Sequence, residues 1–236
     1  GLSDAMMDLY GYVTATIPAN TDKTNVPVIG FIAHMDTSPD VSGAGVIPVL
    51  HENYNGRDIV LPGDNSIVIT VEDNPHLRDK VGETIITSDG RTLLGADNKA
   101  GIAEIFDAAQ FLLQHPEVKH GTVRICITPD EEIGQGTKYF DVKQFGAQYA
   151  YTVDGEQRGS IENETFCADS MTVTFHGISI HPGFAKNKLL NAVKMATRFV
   201  EKLPKDALSP ETTDGKQGCV HPHGLTGAGA SARVKF

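Results

Sequence analysis

The sequence has few cysteines, no long apolar run and no excess of positive charge. Its three cysteines, Cys126, Cys167 and Cys219, lie far apart and form no C-x-x-C pair. An odd number of scattered cysteines argues against a disulfide framework and favours a reducing, cytoplasmic compartment. No stretch approaches the ~18 consecutive apolar residues of a membrane span, so we expect no membrane partner.

Positive charge is in deficit. Lysine and arginine number 20 against 30 aspartates and glutamates, which gives a formal net charge of −10. Proteins that bind nucleic acid need a basic face to neutralise phosphates, so the balance excludes that class of partner. The 40% apolar content and the 24 glycines of the 236 residues are typical of an α/β protein with many tight turns.

Strand and helix patterns alternate along the chain. Nearly continuous apolar runs at residues 27–33 and 122–128 predict strands that are covered on both faces. The other predicted elements are strands at 10–17, 83–88, 149–153, 170–175 and 232–236, and helices at 99–114, 138–145 and 188–203. This order predicts an α/β fold in residues 1–164 and a partial, smaller α+β domain in residues 165–236.

Histidine or carboxylate side chains follow four of the predicted extended segments. They are His34 with Asp36, Asp97, Glu131 with Glu132, and Asp154. Sites in α/β proteins lie outside the carboxyl ends of the strands, so we expect these side chains to meet at one sheet edge. On an extended backbone His34 and Asp36 face the same way, which lets the carboxylate orient a metal-binding imidazole.

Each of these features also has an ordinary interpretation. Asp97 could be a helix N-cap, the acidic run a solvated loop, and Asp154-Gly155 a turn. Three adjacent carboxylates repel one another, however, unless water or cations compensate them. One imidazole and several carboxylates at one edge together predict a site for two divalent ions. Zn²⁺ is the preferred ion, and Co²⁺ or Mn²⁺ stay open.

The chain resembles a two-zinc metallopeptidase family that includes carboxypeptidase G-type enzymes, aminoacylases and succinyl-diaminopimelate desuccinylase. The matching strings occur in order between about residues 9 and 224: G-F-I-A-H-M-D-T-S-P-D, T-L-L-G-A-D-N-K-A-G-I-A-E-I, T-P-D-E-E-I-G, Y-T-V-D-G and H-P-G-x-A-K. The first two strings resemble the tripeptide aminopeptidase branch. The resemblance implies a zinc-dependent cytoplasmic enzyme that releases the N-terminal residue of tripeptides. It also implies a zinc-aminopeptidase-like catalytic domain, in which helices flank a mixed sheet, and a partial, smaller dimerisation and lid domain that forms a homodimer.

The resemblance also implies roles for the metal ligands. Asp97 would bridge the two metals, with His34 and Asp154 as terminal ligands on the two sides. Glu132 would bind the metal that His34 does not. In this family the peptide bond after the bridging aspartate is cis, which here is the bond to Asn98, a position where the branch usually has aspartate.

Three further residues receive catalytic roles from the resemblance. Glu131 would be the general base, which takes a proton from water and returns it to the leaving amine. Asp36 would orient the imidazole of His34. His181 would reach the active site of the partner subunit and stabilise the tetrahedral oxyanion. On the residues alone, His181 is interpreted as a turn histidine before proline.

The chain begins without methionine and ends in strand-like residues 232–236, so we expect it to be a piece of a longer protein. In the family the last zinc-ligand histidine and a glycine-rich substrate loop come from a C-terminal stretch. We therefore expect the 236 residues alone to bind the second metal poorly and to be inactive. The alternatives are a dipeptidase or N-acyl amino acid hydrolase of the same clan, or a non-catalytic metal-bound interaction module. Glu131 and Asp36 argue against the module, since binding alone needs no base beside the metal.

Overall fold

The computed structural model describes residues 2–155 and 158–236, and the chain divides into two compact units, Gly1–Glu162 and Asn163–Phe236. The strands of the first unit are β1 (Met6–Met7), β2 (Val13–Ile17), β3 (Ile29–His34), β4 (Pro48–His51), β5 (Ile59–Val60), β6 (Val68–Ile69), β7 (Ile85–Ser88), β8 (Val123–Thr128) and β9 (Tyr149–Thr152). Its helices are α1 (Ala96–Gln114) and α2 (Val142–Phe145), with a 3₁₀ turn at Pro75–Lys80. None of the helices in the described residues has the length and apolar content needed to cross a bilayer.

The main sheet of the first unit has five strands in the order β1-β2-β8-β3-β9. β2 runs antiparallel to β8, whereas β3 is parallel to both β8 and β9. The ladder continues past the strand ends, because Met35 N–H donates to the Thr128 carbonyl at 2.9 Å and Val153 N–H donates to the Ile32 carbonyl at 2.8 Å. The segments that follow β3, β8 and β9 therefore leave the same edge of the sheet side by side.

Helix α1 covers one face of this sheet and forms the main core with it. Ile105 and Ala109, one turn apart, pack against the buried residues Ala33, Ile125 and Ile127 of the strands. This is the helical spacing on which the sequence prediction rested. Burying an isoleucine side chain such as that of Ile105 contributes about 1.5–3 kcal/mol, so this contact fixes the position of the helix on the sheet.

The first turns of α1 lie unusually close to the segment after β9. A Cβ atom at Gly101 would lie 2.1 Å from the Val153 carbonyl oxygen and 2.5 Å from Oδ1 of Asn98. Both distances are far below van der Waals contact. Glycine at this position therefore allows the N-terminal part of α1 to approach the end of β9.

Two details of the sequence prediction are wrong. β7, the strand before Asp97, pairs with β4 in a separate two-stranded sheet, so Asp97 approaches from the start of α1 and not from a fourth strand of the main sheet. The helix predicted at residues 138–145 is confined to α2. Asp141 caps the start of α2, because its carboxylate accepts the N–H groups of Lys143 and Gln144. Gly146, with φ 71°, ends the helix.

The second unit is a small antiparallel sheet with one helix. It contains β10 (Thr172–His176), β11 (Gly224–Ala228), β12 (Ser231–Lys235), α3 (Ala192–Glu201) and the 3₁₀ turns Pro182–Phe184 and Pro210–Thr212. The sheet order is β10-β12-β11. Ala192 and Ala196 of α3 pack on Ala232 and Val234 of β12. α3 is shorter than predicted because Asn191 caps it, accepting the Lys194 N–H at 3.1 Å.

Candidate metal centre

The centre of the candidate site is the imidazole of His34 at the end of β3. Its side chain is only 2% exposed, and Nε2 lies 2.8 Å from Oδ1 of Asp97, 3.7 Å from Oδ1 of Asp154 and 3.8 Å from Oε2 of Glu131. Two overlapping groups keep their ligand atoms within 4.8 Å of one another: His34, Glu131 and Asp154, and His34, Asp97 and Glu132. The structure thus brings five of the predicted side chains together at the edge where the parallel strands end.

Asp36 holds two parts of the site in place. Nδ1 of His34 lies 3.1 Å from the backbone carbonyl oxygen of Asp36, and Oδ1 of that residue lies 3.4 Å from the same nitrogen. The two carboxylate oxygens of Asp36 accept the N–H groups of Glu131 at 3.1 Å and of Glu132 at 3.0 Å. A carbonyl acceptor at Nδ1 leaves the lone pair of Nε2 free for a metal.

The acidic segment after β8 is a tight turn. Asp130 has φ 59°, a left-handed conformation that aspartate adopts more readily than most residues. The carbonyl of Glu131 accepts the Gly134 N–H at 2.7 Å, which closes the turn. The turn and its two bonds to Asp36 present the side chains of Glu131 and Glu132 to the same edge as His34.

The turn before α1 presents Asp97. Gly95 has φ 82°, and the Asp97–Asn98 peptide bond is cis, as the resemblance implied. Asn98 is 3% exposed, and its Oδ1 accepts the Gly101 N–H at 3.2 Å. Its Nδ2 has no hydrogen-bond partner among the described residues. The side chain of Asp97 is 73% exposed, so it is open to a bound ion.

Electrostatics favour a cation in this group. Burial opposes the charged form of the His34 imidazole, but the surrounding carboxylates, Asp154 foremost, raise its pKa above the ordinary value. Burial raises the pKa of Asp154, and the charges of Asp97 and Glu132 add to the effect. The carboxylates therefore crowd one another with a single imidazole to balance them.

The donor set fits a divalent metal ion. Imidazole nitrogen and carboxylate oxygen are the ligands of Zn²⁺ sites, at about 2.0–2.2 Å from the ion. Two donors that share a tetrahedral ion at that distance lie roughly 3.4 Å apart. The 3.7 Å between His34 Nε2 and Asp154 Oδ1 is close to this value. The spacing is therefore compatible with both residues as ligands of a divalent ion.

A cleft of about 310 Å³ adjoins the site. It is lined by Asp97, Asn98, Gly101, Glu104 and Asp154, among others. A larger groove of about 590 Å³ lies between α1 and β2, and its lining residues carry no charge. The cleft is therefore lined by candidate metal-binding residues, whereas the larger groove is not.

Comparison with known proteins gives one domain match and many close relatives. The family model described as a peptidase dimerisation domain matches residues 163–229. Peptidase T of Listeria monocytogenes serotype 4a (strain HCC23) is 51% identical over 236 residues, which are 100% of this chain and 57% of that protein. Peptidase T of Geobacillus kaustophilus (strain HTA426) is 50% identical with the same coverage. The chain is similar to peptidase T along its whole length. The resemblance found in the motifs is thereby confirmed, and the chain spans a little over half the length of these peptidase T relatives.

Solved structures of similar proteins show the same fold. Aminopeptidase PepT from Bacillus cereus ATCC 10987 has a TM-score of 0.65 at 24% identity, over 98% of this chain and 55% of that one. A tripeptidase from Staphylococcus aureus subsp. aureus Mu50 has a TM-score of 0.63 at 19% identity, over 100% of this chain and 56% of that one. The predicted fold class, α/β with a mixed sheet and a smaller α+β part, is confirmed.

His181 belongs to the second unit. It precedes the 3₁₀ turn Pro182–Phe184, and its Nδ1 accepts the Gly183 N–H at 3.1 Å. His221 and His223, also in this unit, lie with ring centroids 5.9 Å apart. Neither belongs to a metal-binding group among the described residues.

Sequence reasoning missed two residues that shape the site. Gly101 allows α1 to approach the end of β9, and Asn98 accepts the Gly101 N–H, and neither residue was assigned such a role. A glycine inside an otherwise helical apolar pattern is the only sequence feature that indicates such a close approach.

Proposed function

We propose that this protein is a metal-dependent aminopeptidase that releases the N-terminal residue from tripeptides. The observation that carries the proposal is the convergence of His34, Asp97, Glu131, Glu132 and Asp154 at one sheet edge. The peptidase T relatives bear that name, and their similarity to this chain supports the same substrate class here.

The proposed metal centre holds two Zn²⁺ ions, with Co²⁺ or Mn²⁺ as alternatives. Asp97 would bridge them, His34 and Asp154 would be terminal ligands, and Glu132 would bind the second ion. When bound, such ions polarise the scissile carbonyl and lower the pKa of water. Asp36 contacts both the imidazole of His34 and the backbone of the acidic turn, and so fixes their positions relative to each other.

Glu131 is the proposed general base. Its side chain is 52% exposed and lies 3.8 Å from His34 Nε2, a contact too long for a hydrogen bond. A carboxylate that no ligand bond ties down can exchange protons with a water at the same edge. It would take a proton from the attacking water and return it to the leaving amine.

The remaining proposals concern assembly and location. We propose residues 1–164 as the catalytic domain and residues 165–236 as the dimerisation and lid domain of a homodimer. The match of residues 163–229 to the peptidase dimerisation domain supports this division. Three free cysteines support a reducing, cytoplasmic compartment.

The test is tripeptide turnover and metal content of the protein at its full natural length, wild type against Glu131→Gln. We expect Glu131→Gln to keep its metal and to lose activity by about 10²–10⁴-fold, since that is the usual contribution of a general base. The matched control is Glu72→Gln, which changes an exposed glutamate that is not one of the site residues, and we expect it to stay active.

Each other outcome rejects part of the proposal. Full activity of Glu131→Gln would assign the base elsewhere. Bound metal without any peptide hydrolysis in the wild type would favour the interaction module. Faster hydrolysis of dipeptides or N-acyl amino acids than of tripeptides would favour the related hydrolases.

A further inference from the structure

The imidazole of His181 is tied to the turn that follows it. The Gly183 N–H donates to Nδ1 at 3.1 Å, and the Phe184 N–H donates to the His181 carbonyl at 2.8 Å. The ring also lies 5.9 Å from the ring of Phe184. The side chain is exposed, yet Gly183 binds its ring and Phe184 binds its backbone.

We infer that the Gly183 N–H fixes neutral His181 in the tautomer that carries its proton on Nε2. A backbone N–H can only donate, so the ring nitrogen that accepts from it bears a lone pair and no proton. In the neutral imidazole the other nitrogen then carries the hydrogen. His181 therefore presents one N–H donor, at Nε2, and has no free acceptor nitrogen.

Glycine at position 183 suits this arrangement. A Cβ atom there would lie 3.3 Å from Nδ1 and 3.5 Å from Cε1 of His181. Such a side chain would press on the ring, whereas glycine leaves the N–H free to approach it. Gly183 is thus a positioning residue that acts through His181.

The use of this donor rests on the proposed function. A fixed N–H suits an oxygen that gains negative charge during reaction, such as the scissile carbonyl oxygen of a peptide, because no proton needs to be relocated first. The tautomer itself depends on neither substrate nor metal. It can therefore be measured even if the proposed activity proves wrong.

The direct test is long-range ¹H–¹⁵N correlation NMR of the ¹⁵N-histidine-labelled protein at about pH 8, where an unperturbed imidazole is neutral. This experiment distinguishes a protonated ring nitrogen from a bare one. We expect Nδ1 of His181 to be bare and Nε2 to be protonated. His221 and His223 serve as internal controls with averaged tautomers, since their rings form no hydrogen bond to the part of the chain that the structure describes. A protonated Nδ1, or averaging equal to that of the controls, would overturn the inference.

Variants separate the positioning role from the donor role. Gly183→Ala keeps the N–H but adds the Cβ that crowds the ring, so it should shift His181 part of the way toward averaged tautomers. Gly183→Pro removes the N–H and should give fully averaged tautomers. If Gly183→Pro does not fold, the variants His181→Gln and His181→Leu are used in its place.

The glutamine amide of His181→Gln offers a donor near the position of Nε2, so we expect the kcat of this variant for tripeptides to stay within about tenfold of wild type. Leucine should lose about 10²–10³-fold, the usual effect of one missing oxyanion donor. Equal losses in both variants would overturn the donor role. A wild type without tripeptide turnover would reject the proposed function and leave the tautomer result standing.

Discussion

Replacing Gly101 by alanine sets two known effects against each other. Alanine is favoured over glycine inside a helix by about 1 kcal/mol, so propensity alone predicts a more stable protein. The new Cβ, however, would lie 2.1 Å from the Val153 carbonyl oxygen. Restoring ordinary contact requires a shift of roughly 1–2 Å. Overpacking of this kind costs about 1–3 kcal/mol, and a backbone oxygen cannot rotate away as a side chain can, so the upper part of that range applies.

We therefore expect Gly101→Ala to lower the free energy of unfolding by about 2 kcal/mol, the difference between the clash and the propensity gain. Urea unfolding of both proteins measures it. Ala103→Gly, at an exposed position on the same helix, isolates propensity and should cost about 1 kcal/mol by itself. Because the shift moves Asp97 relative to Asp154, zinc affinity from calorimetric titration should also fall by at least about tenfold. A Gly101→Ala protein that is more stable than wild type would contradict the close approach of α1 to β9.

The remaining predictions concern thiols, the Asp36 contacts and metal removal. Burial raises the pKa of the Cys126 thiol to about 11, so at pH 9 a thiol reagent should label Cys167 and Cys219 rapidly and Cys126 only in denaturant; equal rates would contradict its burial. The folded state keeps that proton to about pH 11 while the unfolded chain releases it near 9.0, so stability should fall as pH rises through this interval. Asp36→Asn should weaken zinc binding by about 10–100-fold, as loss of a residue that orients a ligand does, and unchanged affinity would remove Asp36 from that role. Chelation should lower the Tm of the wild type but not of Asp97→Ala, because only a folded, intact site gains from bound metal.

The sequence predicted those strands that can be recognised from their own residues, and the site residues that directly follow them. The apolar runs before His34 and Glu131 are typical of buried strands, and parallel strands end at one edge, so the meeting of His34 with the acidic turn followed from the pattern. The approach of Asp97 did not, because the strand before it belongs to another sheet. The ligand roles came from the resemblance and not from spacing.

Other features depend on contacts between distant segments, which a single sequence does not display. β7 pairs with β4, and a long segment of chain separates the two strands, so the sheet to which β7 belongs could not be assigned from the composition of β7. The two bonds from the Asp36 carboxylate to the acidic turn join segments 95 and 96 residues apart. The fit of Gly101 against Val153 likewise arises only once α1 is packed on the sheet.

The most direct test of the account is anomalous X-ray diffraction at the zinc edge on crystals of the natural full-length protein grown with zinc. The account predicts two peaks about 3.5–4 Å apart, the usual spacing of a two-metal site, with Asp97 in contact with both. One of them should lie beside His34, and the other beside Glu132. Zinc peaks that avoid Asp97, or none at this sheet edge, would contradict the proposed metal centre.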